Sequence, residues 1–139
     1  MTGAVRILAV DDSPAIQALL QTMLRAAGYE IVTANGPRQA LRQLRTFDPH
    51  IILTDFNMPG IDGHGFVRLL RRNPRFDTTP IFVLSSETEA AKRERMEAVG
   101  VSGWFAKPIE AGTLLIAIQG AGRVARQSEG QRHPARREI

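Results

Sequence analysis

Five side chains capable of chemistry follow four separate apolar runs in this sequence. VRILAV ends at Asp11 and Asp12, HIILT ends at Asp55, PIFVL ends at Ser85, and SGWFA ends at Lys107. Short apolar runs of this kind are typical of strands that are buried on both faces of a parallel sheet. Because parallel strands end at one edge of such a sheet, where ligands bind, we expect the five groups to lie together.

The three carboxylates predict a bound cation. Two carboxylates about 4 Å apart repel by roughly 4 kcal/mol at an effective dielectric of about 20. Either one of them stays protonated, or a cation binds between them. The candidate ligands are hard oxygen atoms, and no histidine or cysteine is near them in the sequence. This chemistry favours Mg²⁺, with Mn²⁺ as a substitute, over zinc or copper.

Ser85 and Lys107 indicate what such a metal would serve. An ammonium and a hydroxyl beside Mg²⁺ suit a phosphoryl group, since the metal and Lys107 neutralise its oxygens while the Ser85 hydroxyl donates to one of them. Asp55 comes from the predicted central strand and is the best candidate for a nucleophile. Its carboxylate can form an aspartyl phosphate.

The composition is that of one ordinary globular domain. The chain has 139 residues, of which 43% are hydrophobic and 23% charged, in the usual range for a domain with one core. No apolar run approaches the ~20 residues that span a bilayer, and we find no signal-peptide pattern. The absence of cysteine excludes disulfides, thiolate catalysis and cysteine-bound zinc, and it fits the cytoplasm.

The positive charge lies mainly near the C-terminus. The net charge is +4 and the sequence pI is about 10.6. The region contains arginines opposed by few acidic residues, namely Arg123, Arg126, Arg132, Arg136 and Arg137 against Glu129 and Glu138. Because the rest of the chain is close to neutral, the basic pI does not indicate a nucleic-acid partner. We expect residues 125–139 to form a basic, disordered tail.

Hydrophobic periodicity predicts strands that alternate with helices. The predicted strands cover residues 5–10, 30–34, 50–54, 80–84 and 101–106. The predicted helices cover residues 15–27, 37–45, a segment starting at Phe66, residues 87–99 and residues 109–122. Alternation at this spacing favours right-handed crossovers and a parallel sheet covered on both faces, which is the doubly wound α/β class. Gly112, Gly120 and Gly122 each cost a helix about 1 kcal/mol, so we expect the last helix to fray near Gly122.

Four sequence motifs resemble those of the receiver domain of two-component response regulators. They are AVDDSP, ILTDFNMPGIDG, FVLSSE and WFAKP, in this order and spacing. The resemblance covers about residues 5–124 and places the domain at residues 1–124. It implies a flavodoxin-like fold with five helices around a five-stranded parallel sheet, in the strand order 2-1-3-4-5.

The resemblance also implies roles at the metal site. Asp55 would be the phosphoacceptor. Asp12, Asp55 and the backbone carbonyl of Asn57 would hold Mg²⁺, with Asp11 acting through water. Lys107 would contact the phosphoryl oxygens, and the Lys107–Pro108 peptide is often cis in this family.

Two further residues have implied switching roles. Ser85 would be the switch hydroxyl. Trp104 stands where the family usually has tyrosine or phenylalanine, an aromatic that moves inward when the switch hydroxyl moves. An indole is larger, and its N–H needs a partner when buried. Trp104 is therefore either a switch or a simple packing residue.

The predicted function is that of a stand-alone, chemotaxis-type receiver in the cytoplasm. A histidine kinase or histidine phosphotransfer protein would supply the phosphoryl group, and the chain would catalyse only its own phosphorylation and dephosphorylation. Phosphorylation would change a face built from the fourth helix, fifth strand and fifth helix. The output is then contact with a downstream protein or relay of the phosphoryl group, with no nucleic-acid partner and no membrane insertion.

Other interpretations of the same residues compete with this one. Asp11 and Asp12 precede a helix and can simply complement its dipole. A phosphatase of the haloacid dehalogenase type would need its second aspartate two residues after the first, where Ser13 stands. A receiver that signals without phosphate, through its basic tail, is a third alternative. His50, His64 and His133 are interpreted as surface or loop residues.

Overall fold

The computed structural model describes residues 3–58, 60–86 and 90–129. Its five strands are β1 (Arg6–Val10), β2 (Glu30–Ala34), β3 (Ile51–Asp55), β4 (Ile81–Ser85) and β5 (Gly103–Ala106). Its five α-helices are α1 (Pro14–Ala26), α2 (Pro37–Gln43), α3 (Gly63–Arg71), α4 (Ala90–Ala98) and α5 (Ala111–Glu129). A short 3₁₀ helix, Pro74–Phe76, precedes β4 and was not predicted. The start predicted for the fourth helix, residues 87–89, lies outside the described residues.

The sheet confirms the predicted class and topology. All strand pairs are parallel, and their order is β2-β1-β3-β4-β5. Every residue of β3 and β4 is buried, as expected for central strands that are covered on both faces. The carboxyl ends of all five strands therefore lie at one edge of the sheet, which we call the carboxyl edge.

Two hydrophobic clusters cover the two faces of the sheet. Alternate residues of β1 divide between them, with Ile7 in one cluster and Leu8 in the other. The first cluster includes Leu20 of α1 and Ile118 of α5, whereas the second includes Phe66 of α3 together with residues of α2 and α4. This division is the doubly wound arrangement, in which helices pack on both faces.

The start of α1 follows directly from its sequence. The Ser13 hydroxyl accepts a hydrogen bond from the Ile16 N–H at 3.3 Å, and Pro14 is the first helical residue. Serine at the N-cap and proline at the first position both favour helix initiation. The loop that carries Asp11 and Asp12 is therefore short and leads directly into a helix.

The predicted end of the last helix is wrong. Instead of ending near Gly122, α5 continues to Glu129, so the boundary placed at residue 124 lies inside a helix. Ala125 is buried, and a Cβ atom on Gly122 would lie 3.5 Å from Val5 and 3.9 Å from Ile51. Packing of the helix on β3, through Leu114 and Ile118, offsets the cost of its glycines. The disordered tail predicted for residues 125–139 is therefore wrong for residues 125–129, which belong to α5. Its remaining residues, 130–139, lie outside the described residues, and the tail stays a prediction there.

His50 is not a surface residue. It is 3% exposed, and its Nδ1 accepts a hydrogen bond from the Arg6 backbone N–H at 2.9 Å. It lies at the amino end of β3, opposite the carboxyl edge. His64 lies in the first turn of α3 and is partly buried, and His133 is outside the described residues. None of the described helices has the length and apolar character needed to cross a membrane.

Candidate functional site

Three carboxylates meet at the carboxyl edge, and we call them the acidic cluster. One oxygen of each of Asp11, Asp12 and Asp55 lies within 4.8 Å of the other two. Asp11 is 1% exposed and Asp55 is 5% exposed, whereas Asp12 is open to solvent. The cluster thus has two buried oxygen ligands and one that faces the entrance.

Both carboxylate oxygens of Asp11, its backbone N–H and its carbonyl oxygen form hydrogen bonds. Its Oδ1 accepts from the Ser13 N–H at 2.9 Å, and its Oδ2 accepts from Lys107 Nζ at 2.9 Å. Its backbone N–H donates to the Ala34 carbonyl at 3.0 Å, and its own carbonyl accepts from the Gln17 side chain at 2.7 Å. A fully hydrogen-bonded buried carboxylate has one defined position.

Asp55 is the last residue of the central strand β3. Burial raises the pKa of its carboxyl group above the usual value, and the nearby Asp11 carboxylate raises it further. The hydrogen bond from Lys107 and the backbone N–H of Asn57 act in the opposite direction but do not cancel these effects. In the absence of a further cation, the site therefore disfavours ionisation of Asp55.

Lys107 follows β5 and reaches back over the sheet edge. Its Nζ lies 2.9 Å from Asp11 Oδ2 and 3.1 Å from Asp55 Oδ1, and its backbone N–H donates to the Ser85 carbonyl at 2.9 Å. Burial alone lowers the pKa of the ammonium, but the hydrogen bonds to Asp11 and Asp55 outweigh it, so the pKa of Lys107 is raised. The Lys107–Pro108 peptide is cis.

Ser85 and Asn57 lie beside the cluster. Ser85 ends β4 and is 0% exposed. It pairs with Ala106 of β5, whereas Asp55 of β3 pairs with the preceding residue, Leu84. Asn57 lies on the loop after β3 and is exposed. The switching role of the Ser85 hydroxyl and the metal-binding role of the Asn57 carbonyl stay predictions.

Trp104 packs towards the protein interior. Its ring centroid lies 5.7 Å from that of Phe56, at an interplanar angle of 48°, and the side chain is partly buried against the cluster that includes Val83 and Met96. Phe56 directly follows Asp55 in the sequence. Trp104 is thus in aromatic contact with the residue that directly follows Asp55 in the sequence. Its role as a switch stays a prediction.

Gly63 stands at the start of α3 and follows Asp62, and Asp-Gly pairs are typical of turns. In the structure, Asp62 is the N-cap of α3 and accepts from the Gly65 N–H at 2.9 Å. A Cβ atom on Gly63 would lie 2.7 Å from the Asp55 carbonyl oxygen and 2.8 Å from Phe56 Cα. Gly63 therefore allows α3 to begin directly against the end of β3. The Asp-Gly pair at a helix start was the available signal.

The donor chemistry of the cluster fits a hard divalent cation. Its ligands are carboxylate oxygens, and one ammonium, from Lys107, opposes them. With all three aspartates ionised, two negative charges remain uncompensated, and the exposed Asp12 gives a cation access from solvent. Mg²⁺ prefers such oxygen ligands and keeps several waters when bound by one or two carboxylates.

The fold and this edge define the class of doubly wound α/β proteins with an acidic cluster at the carboxyl ends of the strands. The family model of the response regulator receiver domain matches residues 7–119. The chain therefore belongs to the response regulator receiver family. Members of this family are signalling modules of two-component systems rather than conventional enzymes.

Individual relatives agree with this assignment. Protein PilG of Pseudomonas aeruginosa is 30% identical over 118 residues, which cover 85% of this chain and 87% of PilG. The structure of the chemotaxis response regulator CheY4 of Vibrio cholerae has a TM-score of 0.79 and 37% identity, covering 85% of this chain and 98% of that one. The receiver domain of the Pseudomonas aeruginosa sensor histidine kinase PA1611 has a TM-score of 0.78 and 28% identity, covering 86% and 98%. That receiver has a magnesium ion coordinated in its active-site cleft.

Proposed function

We propose that this receiver accepts a phosphoryl group on Asp55 from a phosphohistidine of a histidine kinase or a histidine phosphotransfer protein. The observation that carries the proposal is the position of Lys107 Nζ, which contacts Asp11 and Asp55 at once. An ammonium in this position can neutralise both the carboxylates and an incoming phosphoryl group. A cytoplasmic location is part of the proposal.

Mg²⁺ is the proposed cofactor, with Mn²⁺ as a substitute. Asp12, Asp55 and the Asn57 carbonyl would hold it, and Asp11 would act through water. When bound, the ion supplies charge neutralisation for the carboxylates and the phosphoryl oxygens. The magnesium ion in the PA1611 receiver and the oxygen-only acidic cluster of this chain support this choice.

The proposed transfer needs no group other than these. A carboxylate oxygen of Asp55 attacks phosphorus as the P–N bond of the phosphohistidine breaks. The electron pair of that bond stays on the imidazole nitrogen, which then takes a proton from water. Because its pKa is raised, Lys107 stays protonated and stabilises charge on the phosphoryl oxygens, and the Ser85 hydroxyl donates to one of them. Water later attacks phosphorus, the bond between phosphorus and the Asp55 oxygen breaks, and inorganic phosphate leaves with the Asp55 carboxylate regenerated. Dephosphorylation is then also self-catalysed.

The proposed output is contact with a downstream protein through α4, β5 and α5, or relay of the phosphoryl group. Trp104 lies on β5 and contacts Phe56 next to the acceptor, which supports a link between the site and this face. Ile116 and Val124 on α5 are 72% and 61% exposed. Exposed apolar side chains of this size suit a protein partner better than a charged polymer.

The test is phosphorylation by acetyl phosphate followed by intact-mass analysis. With Mg²⁺ present, the wild-type chain should gain the mass of one phosphoryl group, and chelation of the metal should prevent the gain. Asp55→Asn should abolish it. Asp62→Asn is the matched control, because asparagine also caps a helix well, and it should keep the gain. An undiminished gain in Asp55→Asn would reject Asp55 as the acceptor.

Beryllium fluoride, a phosphoryl mimic, gives a second test through the single tryptophan. Added together with Mg²⁺, it should change the fluorescence of Trp104 because Phe56 joins that ring to Asp55. A mass gain from acetyl phosphate without a fluorescence change would keep the phosphorylation chemistry and remove Trp104 as a reporter of it.

A further inference from the structure

Gln17 joins two loops at the carboxyl edge. It lies in α1, and its side-chain Nε2 donates to the Asp11 carbonyl at 2.7 Å and to Asn35 Oδ1 at 2.7 Å. A primary amide has two N–H groups, so these two contacts use both of them. Asn35 belongs to the loop between β2 and α2, and its backbone N–H donates to Gln39 Oε1 at 2.6 Å.

The first of these contacts holds the peptide group that joins Asp11 to Asp12. The preceding peptide is held by the hydrogen bond from the Asp11 N–H to the Ala34 carbonyl. With the Asp11 carbonyl also held, the backbone between the two aspartates has one orientation. That orientation sets the direction in which the Asp12 side chain leaves the chain.

Asp12 needs this support more than the other two carboxylates do. Asp11 and Asp55 are buried and hydrogen-bonded to Lys107. Asp12 is exposed, and within the described part of the chain its carboxylate has no hydrogen-bond or ion-pair partner. The position of its oxygen beside the other two therefore depends on the backbone, and so on Gln17.

We propose that Gln17 is a positioning residue of the metal site, which holds Asp12 in place before the cation arrives. The inference rests on the proposed function, since it concerns the same acidic cluster. Groups that orient metal ligands from behind raise metal affinity because less freedom is lost on binding. Gln17 does so from α1, without touching the metal.

The test is the dissociation constant for Mg²⁺, measured by isothermal titration calorimetry. Gln17→Ala should raise that constant roughly three- to tenfold. Gln21→Ala is the matched control, because Gln21 also joins α1 to β2, donating to Thr33 Oγ1 at 3.2 Å, but one turn further from the cluster. It should leave the constant unchanged, while urea denaturation without Mg²⁺ should show similar losses of stability in both variants.

A second variant tests the bridge itself. Asn35→Ala removes only the Asn35 contact, so it should weaken Mg²⁺ binding less than Gln17→Ala does. If Gln17 acts through this bridge, the double variant should bind Mg²⁺ no more weakly than Gln17→Ala alone. If the losses of Mg²⁺ affinity in the two single variants add in the double variant, Gln17 does not act through Asn35.

The outcomes separate the two proposals. If the wild-type chain binds neither Mg²⁺ nor Mn²⁺, both the proposed function and the role of Gln17 are rejected. If the wild type binds Mg²⁺ and Gln17→Ala binds it equally well, only the role of Gln17 is rejected. Equal weakening in Gln17→Ala and Gln21→Ala would show a general effect of α1 stability and would also reject positioning.

Discussion

Lys107 Nζ lies 3.1 Å from Asp55 Oδ1. Lys107 follows β5 and Asp55 ends β3, and these two strands are not neighbours in the sheet. β4 lies between β3 and β5, so the lysine side chain passes over the end of β4, where Ser85 stands. The same ammonium is 2.9 Å from Asp11 beside β1. One cation thus links the ends of three strands, and it is the main counter-charge of the acidic cluster.

Replacement of this counter-charge should destabilise the metal-free protein. Lys107→Met leaves Asp11 and Asp55 buried without their ammonium partner, so the free energy of unfolding at neutral pH should fall by about 2–4 kcal/mol. Urea denaturation in the presence of a chelator measures the loss, and added Mg²⁺ should recover part of it. Arg25→Met, an exposed change on α1, is the control.

The pH dependence of that loss has a definite sign. The pKa of Asp55 is already raised by burial and by Asp11, and loss of Lys107 removes an interaction that lowers it. Protonation of Asp55 is thus favoured in the folded state, and its contribution to stability is present at low pH and lost as pH rises through the raised pKa. The deficit of Lys107→Met should therefore shrink as pH falls. An equal deficit at all pH values would contradict this explanation.

Two glycine-to-alanine changes should have opposite effects. Gly63→Ala places a Cβ atom 2.7 Å from the Asp55 carbonyl oxygen, so the start of α3 must move away from β3 at a cost of about 2 kcal/mol or more. In Gly120→Ala, inside α5, the added Cβ atom would meet no atom of the described residues within 4 Å apart from the helix's own nearby backbone. This change should stabilise by roughly 0.5–1 kcal/mol. Thermal unfolding of the two variants checks this pair, and a neutral Gly63→Ala would disprove the close approach.

Arg71 of α3 should stabilise the end of α4, although the two segments are far apart in the sequence. Its guanidinium donates to the Thr79 carbonyl at 2.8 Å and to the Gly100 carbonyl, just after α4, at 2.7 Å. Arg71→Met leaves these carbonyls without their charged donor and should cost about 2–3 kcal/mol. Exposed Arg72 is the matched control. Hydrogen exchange in the last turn of α4 should accelerate in Arg71→Met and not in Arg72→Met.

His64 should titrate below its ordinary range. Burial lowers the pKa of its imidazole from the usual 6.5, and the Arg95 guanidinium on α4 lowers it further, while Asp62 opposes and Arg68 adds to the effect. Nuclear magnetic resonance titration should show this low pKa. In Arg95→Gln the pKa of His64 should rise towards the usual value, whereas Arg93→Gln on the same helix should leave it unchanged.

The stability effect of His64 has the opposite sign to that of Asp55. The folded state favours the neutral imidazole, so the contribution is present above the unfolded pKa and is lost as pH falls through the folded pKa. The unfolding free energy of the wild type relative to His64→Gln should therefore be constant above a pH of about 6.5 and should fall as the pH is lowered below that value. A difference that is constant with pH would contradict the low pKa.

The residue pattern predicted the strands and the meeting of Asp11, Asp12, Asp55 and Lys107 at the carboxyl edge, whereas the strand order was implied by the resemblance to receiver domains. Each strand is a short apolar run, and each candidate group directly follows or ends one, so local pattern was sufficient once the sheet was parallel. The exact ends of the helices were less well predicted. Gly122 suggested an end to α5, but the helix continues to Glu129, and Gly122 lies close to Val5 and Ile51.

Only the tertiary structure showed what supports the site. Gln17 contacts Asn35 on another loop, Gly63 approaches the backbone of β3, and His50 is buried against Arg6. Residues such as these have no local signature, because their partners are brought close only when distant segments of the chain pack together. Composition and spacing thus determined the chemistry of this protein, whereas long-range packing decided how rigidly that chemistry is held.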